Sequence, residues 1–279
     1  MASGVTYRSA IELIAEHLGC DADERAVYDR RRGADPRAYA ASFLRATNTE
    51  FLLLDDGYPA SDEGTTWHEF AQIVDVPARP VLRLETRGAG AAATVARARA
   101  EGYVALKTVA AYRGGLDRVS PEVVAALEAN EATSAPMPVQ VHCGFGDADL
   151  HLWRADPSYL KPLVERFRET PFVLLHCYPF VREAGWLAHV YGNVFFDLSL
   201  TIPHVSQPAT ALREALELAP ASKLLYASDA ARTPELYLLA ATWWRDALAE
   251  VLPPLYGDGA AETAARILRG NALALYDLA

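Results

Sequence analysis

Three short apolar segments of the chain each end on a residue that can bind a metal ion. These residues are His142, His176 and Asp229, and each follows four or five mostly apolar positions. Such segments are typical of strands buried on both faces of a parallel sheet, and polar residues at their carboxyl ends are typical of a (β/α) barrel. A single histidine at a strand end is more often structural, but three such ends in one chain favour a zinc site.

A cysteine directly follows each of the two histidines. Because side chains alternate between the two faces of a strand, Cys143 and Cys177 should point toward the helices if His142 and His176 point into the barrel mouth. We therefore interpret both cysteines as small buried apolar residues rather than metal ligands.

Strand-like segments alternate with helical segments, which predicts βαβ units and a parallel sheet. We count seven strands, near residues 51, 81, 103, 138, 172, 194 and 224, whereas eight strands close a barrel. The shortfall lies at the N-terminus, where the pattern is helical and Asp35–Pro36 starts a helix. We therefore divide the chain into an N-terminal helical segment, residues 1–48, and a single barrel domain, residues 49–279. No glycine-rich phosphate loop follows a strand, so a dinucleotide-binding fold is poorly supported.

Charge and composition limit the partners that we expect. The formal net charge of −10 argues against nucleic acid and anionic membranes. No apolar run approaches the roughly 18 residues that span a bilayer, and we find no secretory signal. The three cysteines lack disulfide spacing, which suits the cytoplasm, and we expect a small-molecule substrate. An open barrel and the apolar Leu238–Trp244 helix face predict a homo-oligomer.

Several longer stretches of the sequence carry a resemblance to a known family. They are residues 106–116, 141–147, 174–185, 196–199 and 218–229. In this order they resemble the amidohydrolase-related family, also called amidohydrolase type 2. Within that family they are most similar to the branch whose domain is fused to glutamine-synthetase-like domains. The resemblance covers residues 50–276.

The resemblance implies a distorted (β/α)8 barrel with a divalent metal, usually zinc, at its C-terminal mouth. His142 and His176 match family positions that bind the metal or lie beside it, and His176 can alternatively polarise the substrate. Asp229 matches the aspartate that touches the metal and takes a proton from water, and Lys107 matches a lysine of this branch. Family members hydrolyse their substrates with metal-bound water or decarboxylate small carboxylic acids without oxidation.

One element of the family pattern is absent from this sequence. The first strand of family members ends in His-x-His, which supplies two metal ligands, whereas no two of the seven histidines here are separated by one residue. Because this motif ends the first strand, the absent motif and the absent eighth strand are one missing element. Either the native protein has an N-terminal extension, or its start was mis-assigned, or the chain is a variant without this strand. In the last case a partner strand, another subunit or the N-terminal helices must cover the open edge.

Other polar residues near the strand ends are candidates for the site. Lys107 ends a buried strand, where it pairs with Asp229 or Glu85, binds a substrate carboxylate, or carries CO2 as a bridge between metals. Arg113 and Arg182 are candidates for binding a carboxylate through two hydrogen bonds. The remaining candidates are Asp147 and Tyr178 as pocket residues, and His68 and His204 as substitute metal ligands.

Together these residues indicate a hydrolytic mechanism. A metal held by His142, His176 and Asp229 would activate water, with Asp229 as general base. Lys107 or an arginine would hold the substrate, so we take His176, Asp229 and Lys107 as catalytic. We therefore expect metal-dependent hydrolysis of the C–N bond of a small carboxylate-bearing amide. The alternatives are a metal-dependent non-oxidative decarboxylase, in which Asp229 protonates carbon, and a degenerate barrel that binds without catalysis.

Overall fold

A computed structural model of the chain describes residues 4–57, 64–230 and 233–278. Its centre is a sheet of seven parallel strands that follow one another in chain order. The strands are β1 (Leu52–Asp55), β2 (Ala78–Arg83), β3 (Ala105–Thr108), β4 (Val139–Cys143), β5 (Phe172–His176), β6 (Val194–Asp197) and β7 (Leu224–Leu225). The seven predicted strands and their parallel arrangement are therefore confirmed.

The helices precede, connect and follow the strands. Before β1 lie α1 (Val5–Leu18), α2 (Glu24–Gly33) and α3 (Pro36–Thr47). The connecting helices are α4 (Trp67–Val74), α5 (Ala91–Ala98), α6 (Pro121–Glu131), α7 (Lys161–Arg166), α8 (Val181–Val190) and α9 (Pro208–Leu216). After β7 come α10 (Glu235–Tyr256), α11 (Ala260–Ala265), a π-helix (Arg266–Gly270) and α12 (Asn271–Tyr276). Of the helices in these ranges, none combines the length and the apolar character needed to cross a bilayer.

Side-chain caps explain where several helices begin. The Asp35 carboxylate accepts a hydrogen bond from a backbone N–H in the first turn of α3, and the Ser120 hydroxyl does the same for α6. A proline follows each cap, and both starts agree with the sequence pattern. Thr66 and Glu69 form a reciprocal capping box that begins α4. The sequence carried this signal too, but we did not predict α4.

Strand side chains alternate between an outer layer, which packs against the helices, and an inner layer. Leu106 and Phe196 belong to the outer layer, and Val173 belongs to the inner layer. Cys143 and Cys177 lie in the outer layer with no exposed surface, as expected for buried apolar residues. Burial raises the pKa of both thiols well above the usual value, so neither is a reactive thiolate.

The N-terminal helices pack against α10. Phe43 of α3 shares a buried cluster with Leu238 and Leu239 of α10. The buried Glu235 carboxylate, at the start of α10, accepts a hydrogen bond from the Tyr39 hydroxyl at 2.8 Å. These contacts correct one expectation, because they cover the apolar face of α10 that we expected to lie open for self-association. Trp244, at the end of that face, is also fully buried within the chain.

The C-terminal segment lies beside the strand that should pair with a closing strand. Within the described ranges, no backbone ladder joins β7 to β1. The N–H of Tyr226 instead donates to the Ile267 carbonyl in the π-helix at 3.1 Å. Arg269, in the same helix, forms an ion pair with Glu50, two residues before β1. The C-terminal helices therefore connect both edges of the open sheet.

Tyr276 of α12 reaches into the inner layer of the sheet. Its ring is 5% exposed and packs with Val173 and Leu225. Its hydroxyl accepts a hydrogen bond from Gln140 Nε2 at 3.1 Å. The inner layer is thus filled partly by a helix rather than only by strand side chains.

Candidate active site

A cavity of about 1150 Å³ lies at the carboxyl ends of the strands. Its lining includes Asp55, Lys107, His142, His176 and Asp229. The structure therefore brings the three predicted metal ligands and the predicted lysine into one cavity. The carboxyl ends of the strands are also where barrels of this type place their active sites.

The two histidines lie side by side at the ends of β4 and β5. The ring centroids of His142 and His176 are 4.5 Å apart, and the Tyr112 ring is 4.7 Å from His142. Burial lowers the pKa of both imidazoles well below the usual value, and the nearby Lys107 ammonium group lowers it further. Both rings are therefore neutral at pH 7, the form that binds a metal or accepts a proton.

His176 is held in place by the loop that follows β6. Its backbone has a φ of +68°, in the left-handed region, and its N–H donates to Asp197 Oδ1 at 2.7 Å. Its Nδ1 lies 2.7 Å from the Ser199 hydroxyl, which itself donates to Asp197 Oδ1. Burial raises the pKa of the Asp197 carboxyl to about 6. The β6 loop thus sets both the backbone and the ring of His176.

Asp229 approaches the histidine pair from the segment after β7. Its Oδ2 lies 4.0 Å from His176 Nδ1, and its side chain is 34% exposed. Its φ of +49° lies in the left-handed region, which is unusual for a residue other than glycine. Such a conformation often marks a functional position, because the surrounding structure must hold it. Because its side chain is 34% exposed, the Asp229 carboxylate can contact water and ligand in the cavity.

Two cations share one carboxylate at the ends of the first three strands. Lys107 Nζ lies 3.2 Å from Asp55 Oδ2, and Arg83 Nε contacts both Asp55 oxygens at 3.0 and 3.1 Å. Burial alone would raise the pKa of Asp55, but Lys107 and Arg83 outweigh it and hold this pKa below the usual value. The partner of Lys107 is thus Asp55, not Asp229 or Glu85 as expected. Glu85 instead binds the end of β3 through the backbone N–H of Val109.

The predicted substrate-binding residues divide into two groups. Arg113 and Asp147 line the cavity. Tyr178 and Arg182 are absent from its lining, and Tyr178 is 47% exposed. Arg182 lies in the first turn of α8 and forms an ion pair with Glu214 of α9 at 3.3 Å. The expectation that Arg182 grips a substrate is therefore not supported, because its partner lies on the neighbouring helix.

The two substitute ligands also lie in different places. His204 lines the cavity, and its Nδ1 contacts the Leu200 carbonyl at 2.8 Å. His68 lies in α4 with its ring stacked on Trp67, and it does not line the cavity. Only His204 is placed where it could meet a ligand.

Sequence reasoning missed several residues of the cavity. Asp55 and Arg83 are the last residues of β1 and β2, so the polar strand-end signal that identified Lys107 was present for them as well. Tyr112 lies in a stretch that carried the family resemblance, and so does Ser199. Their role depends on contacts with the two histidines, which the pattern of one chain does not contain.

The metal ion implied by the resemblance fits these side chains only in part. His142 Nε2 is buried and has no hydrogen-bond partner among the residues that the structure describes, which is a suitable state for a ligand. However, in the same part of the chain no three His, Cys, Asp or Glu side chains lie close enough to hold a metal. A catalytic zinc normally has about three protein ligands. The described residues therefore do not form a complete metal site, and we derive no catalytic step through a metal.

Comparison with known proteins identifies the family of the chain. The model of the family described as Amidohydrolase matches residues 9–278. Over 161 residues the chain is 41% identical to Protein fluG of Emericella nidulans, a match that covers 54% of this chain and 19% of that protein. The chain thus spans a minor part of that relative's length. The predicted family resemblance is confirmed.

Solved structures similar to this chain support the assignment of its fold. A Lactobacillus casei protein assigned as a metal-dependent hydrolase is 27% identical with a TM-score of 0.83, over 99% of this chain and 85% of that chain. A TIM-barrel protein from Bordetella bronchiseptica is 18% identical with a TM-score of 0.62, over 96% and 90%, a likeness of fold alone. The predicted TIM-like barrel with a missing or atypical first strand is confirmed.

Family and neighbour together support a metal-dependent, hydrolase-like function. By its family match, its barrel and its cavity, the chain belongs to the amidohydrolase family.

Proposed function

We propose that the chain hydrolyses the C–N bond of a small amide that carries a carboxylate. The observation that supports this is the combination of two groups of side chains in one cavity. The first group is Asp229 beside the neutral His176. The second is the pair of cations, Arg83 and Lys107, that share Asp55. Of these two cations, Lys107 is the one that we assign to the substrate carboxylate, while Arg83 holds Asp55 in place.

Asp229 is the general base of the proposed reaction. A water oxygen forms a bond to the amide carbonyl carbon while its proton passes to the Asp229 carboxylate. The C–N bond then breaks, and the same proton goes to the leaving nitrogen. The exposed part of the Asp229 side chain gives water and substrate access to this group.

Lys107 and Arg113 bind the substrate in this proposal. Lys107 is 11% exposed, so its charge acts in a poorly solvated setting, where an ion pair is stronger than at the surface. Arg113 lies at the cavity lining with an exposed side chain, where it can reach the outer end of a substrate. The carboxylate therefore fixes the substrate so that its amide lies near Asp229.

Zinc is the cofactor that we propose, because two imidazoles and a carboxylate are suitable zinc donors. The Lactobacillus neighbour, which is assigned as metal-dependent, supports a divalent metal. His142 and His176 would supply nitrogen ligands. Since three donors do not converge among the described residues, we expect binding to be weak unless a further ligand completes the site. The three free thiols suit our proposal of a cytoplasmic location.

The test uses substrate pairs that differ in the carboxylate. N-acetyl amino acids and their C-terminal methylamides are incubated with the chain and zinc, and released acetate is measured. We expect the carboxylates to react at least about tenfold faster, which corresponds to about 1.4 kcal/mol of binding in the transition state. Equal rates, or no acetate from either series, would contradict the proposed substrate class. Release of CO2 instead of acetate would favour the decarboxylase alternative.

A further inference from the structure

The Ser199 hydroxyl lies between Asp197 and His176. Its oxygen is 2.7 Å from Asp197 Oδ1 and 2.7 Å from His176 Nδ1. All three side chains are about 2% exposed, so water does not compete for these hydrogen bonds. The positions of the protons in these two hydrogen bonds can therefore be derived from the donors and acceptors around them.

The donors around Asp197 fix the direction of the first hydrogen bond. Asp197 Oδ1 accepts from the backbone N–H of His176 at 2.7 Å and from the backbone N–H of Ser199 at 2.9 Å. Backbone N–H groups can only donate, so this oxygen is an acceptor. The Ser199 hydroxyl, which contacts the same oxygen, is therefore a donor to Asp197.

The direction of the second hydrogen bond follows. A hydroxyl carries one proton, and Ser199 has given its proton to the bond with Asp197. The Ser199 oxygen can only accept from His176, so Nδ1 must carry a proton. In a neutral imidazole the other nitrogen, Nε2, then has a free lone pair.

We propose that Ser199 and Asp197 are positioning residues that hold His176 in the Nδ1–H tautomer, so that only Nε2 can accept a proton or a ligand. This deepens the proposed function, on which its catalytic meaning rests. In its neutral form a histidine in this state has no Nε2 proton to donate to the leaving nitrogen. In the proposed reaction Asp229 takes the proton from water and delivers it, and His176 offers Nε2 as an acceptor or ligand.

The backbone of His176 is held by the same loop. Its carbonyl accepts a hydrogen bond from the Thr201 hydroxyl at 2.5 Å, in addition to the bond from its N–H to Asp197. These contacts oppose relaxation of the positive φ, which carries a cost for a histidine. These backbone contacts therefore fix the position from which the His176 ring reaches Ser199.

The test is the tautomer itself, measured by 15N NMR on the full chain with 15N-labelled histidine and a chelator. The His176 signals are assigned as those lost in His176→Gln. We expect a protonated Nδ1 and an unprotonated Nε2 in the wild-type chain at neutral pH. In Ser199→Ala we expect the Nδ1–H form to fall to a minority, and in Ser199→Thr, which keeps the hydroxyl, to be retained.

Ser42→Ala is the matched control, because the Ser42 hydroxyl contacts a different histidine, His17, at 3.2 Å. It should leave the His176 signals unchanged. A wild-type His176 protonated on Nε2 would overturn the proposal, and so would an unchanged tautomer in a folded Ser199→Ala variant. The wild-type spectrum, with its assignment from His176→Gln, decides the matter even if a Ser199 variant fails to fold. No substrate is used, so this result is independent of whether the chain hydrolyses amides.

Discussion

At the scale of single residues, Lys107 shows how a buried cation organises the site. Its ammonium group lies against Asp55, and it also lowers the pKa of both cavity histidines. Lys107 therefore adds to the effect of burial, which keeps the imidazoles neutral, and it supplies a positive charge for a substrate. A single side chain thus affects both parts of the proposed mechanism.

Replacing Lys107 with Met tests the substrate-binding part. We expect KM for a carboxylate-bearing amide to rise about tenfold, or about 1.4 kcal/mol, with a smaller change in kcat. Asp55 keeps its contacts with Arg83, so the fold should persist. Steady-state kinetics measure the effect. Lys161→Met is the control, because this lysine pairs with Glu165 on the surface of α7. An unchanged KM in Lys107→Met would remove the lysine from substrate binding.

The buried ionisable groups make stability depend on pH. Burial lowers the pKa of His142 and His176 in the folded protein, whereas 6.5 is the ordinary value in an unfolded chain. Below pH 6.5 the unfolded chain therefore binds protons that the folded protein does not, and the free energy of unfolding falls. Asp197 has the opposite effect, because its pKa rises from 3.8 to about 6 on folding. We expect a loss of stability below pH 6.5 that Asp197 offsets in part below pH 6.

Replacing His142 with Gln removes one of these groups. Between pH 6.5 and about pH 5.5 the free energy of unfolding should then fall less steeply, by up to about 1.4 kcal/mol per pH unit, the linkage of one proton. Urea denaturation at several pH values measures this slope. His189→Gln, on the exposed surface of α8, should leave the slope unchanged. The same slope in His142→Gln as in the wild-type chain would show that His142 is not a source of the pH dependence.

At the scale of elements, α12 has an unusual position for a terminal helix. It places the Tyr276 ring among the inner side chains of the sheet, with its hydroxyl on Gln140. Tyr276→Ala should lower the free energy of unfolding by about 3–5 kcal/mol, as large-to-small core changes do. Tyr276→Phe, which loses only the hydrogen bond, should cost about 1 kcal/mol.

Urea denaturation measures both variants of Tyr276. Tyr159→Ala is the control, because Tyr159 is 46% exposed and its removal leaves no buried cavity. If Tyr276→Ala were as stable as this control, α12 would not be part of the barrel core.

The elements also show what a single sequence can reveal. The seven strands follow from their apolar runs, and the starts of α3 and α6 follow from Asp35 and Ser120. The pairing of Lys107 with Asp55 does not follow, because it depends on how β1 and β3 lie across the sheet. The position of Arg182 does not follow either, since the pattern places it after a strand but does not give the direction of its side chain.

At the scale of the whole molecule, the described part of the chain combines a sheet that is open between β7 and β1 with an incomplete metal site. Two imidazoles of the cavity suit a metal, but among the described residues three donors do not converge. We expect added zinc to bind weakly and to be lost on dialysis, since affinity depends on the number of ligands. Elemental analysis before and after dialysis measures this. One equivalent of zinc retained after dialysis would show that a third ligand is already present.

The central claim is that Asp229 activates water in this cavity, and the most direct measurement is the turnover of Asp229→Asn on the amide that the wild-type chain hydrolyses fastest. We expect kcat to fall at least about 10²-fold, because Asn cannot accept the proton of water. Asp246→Asn, an exposed carboxylate of α10 outside the cavity lining, should retain wild-type turnover. Turnover of Asp229→Asn close to that of the wild-type chain would contradict the account.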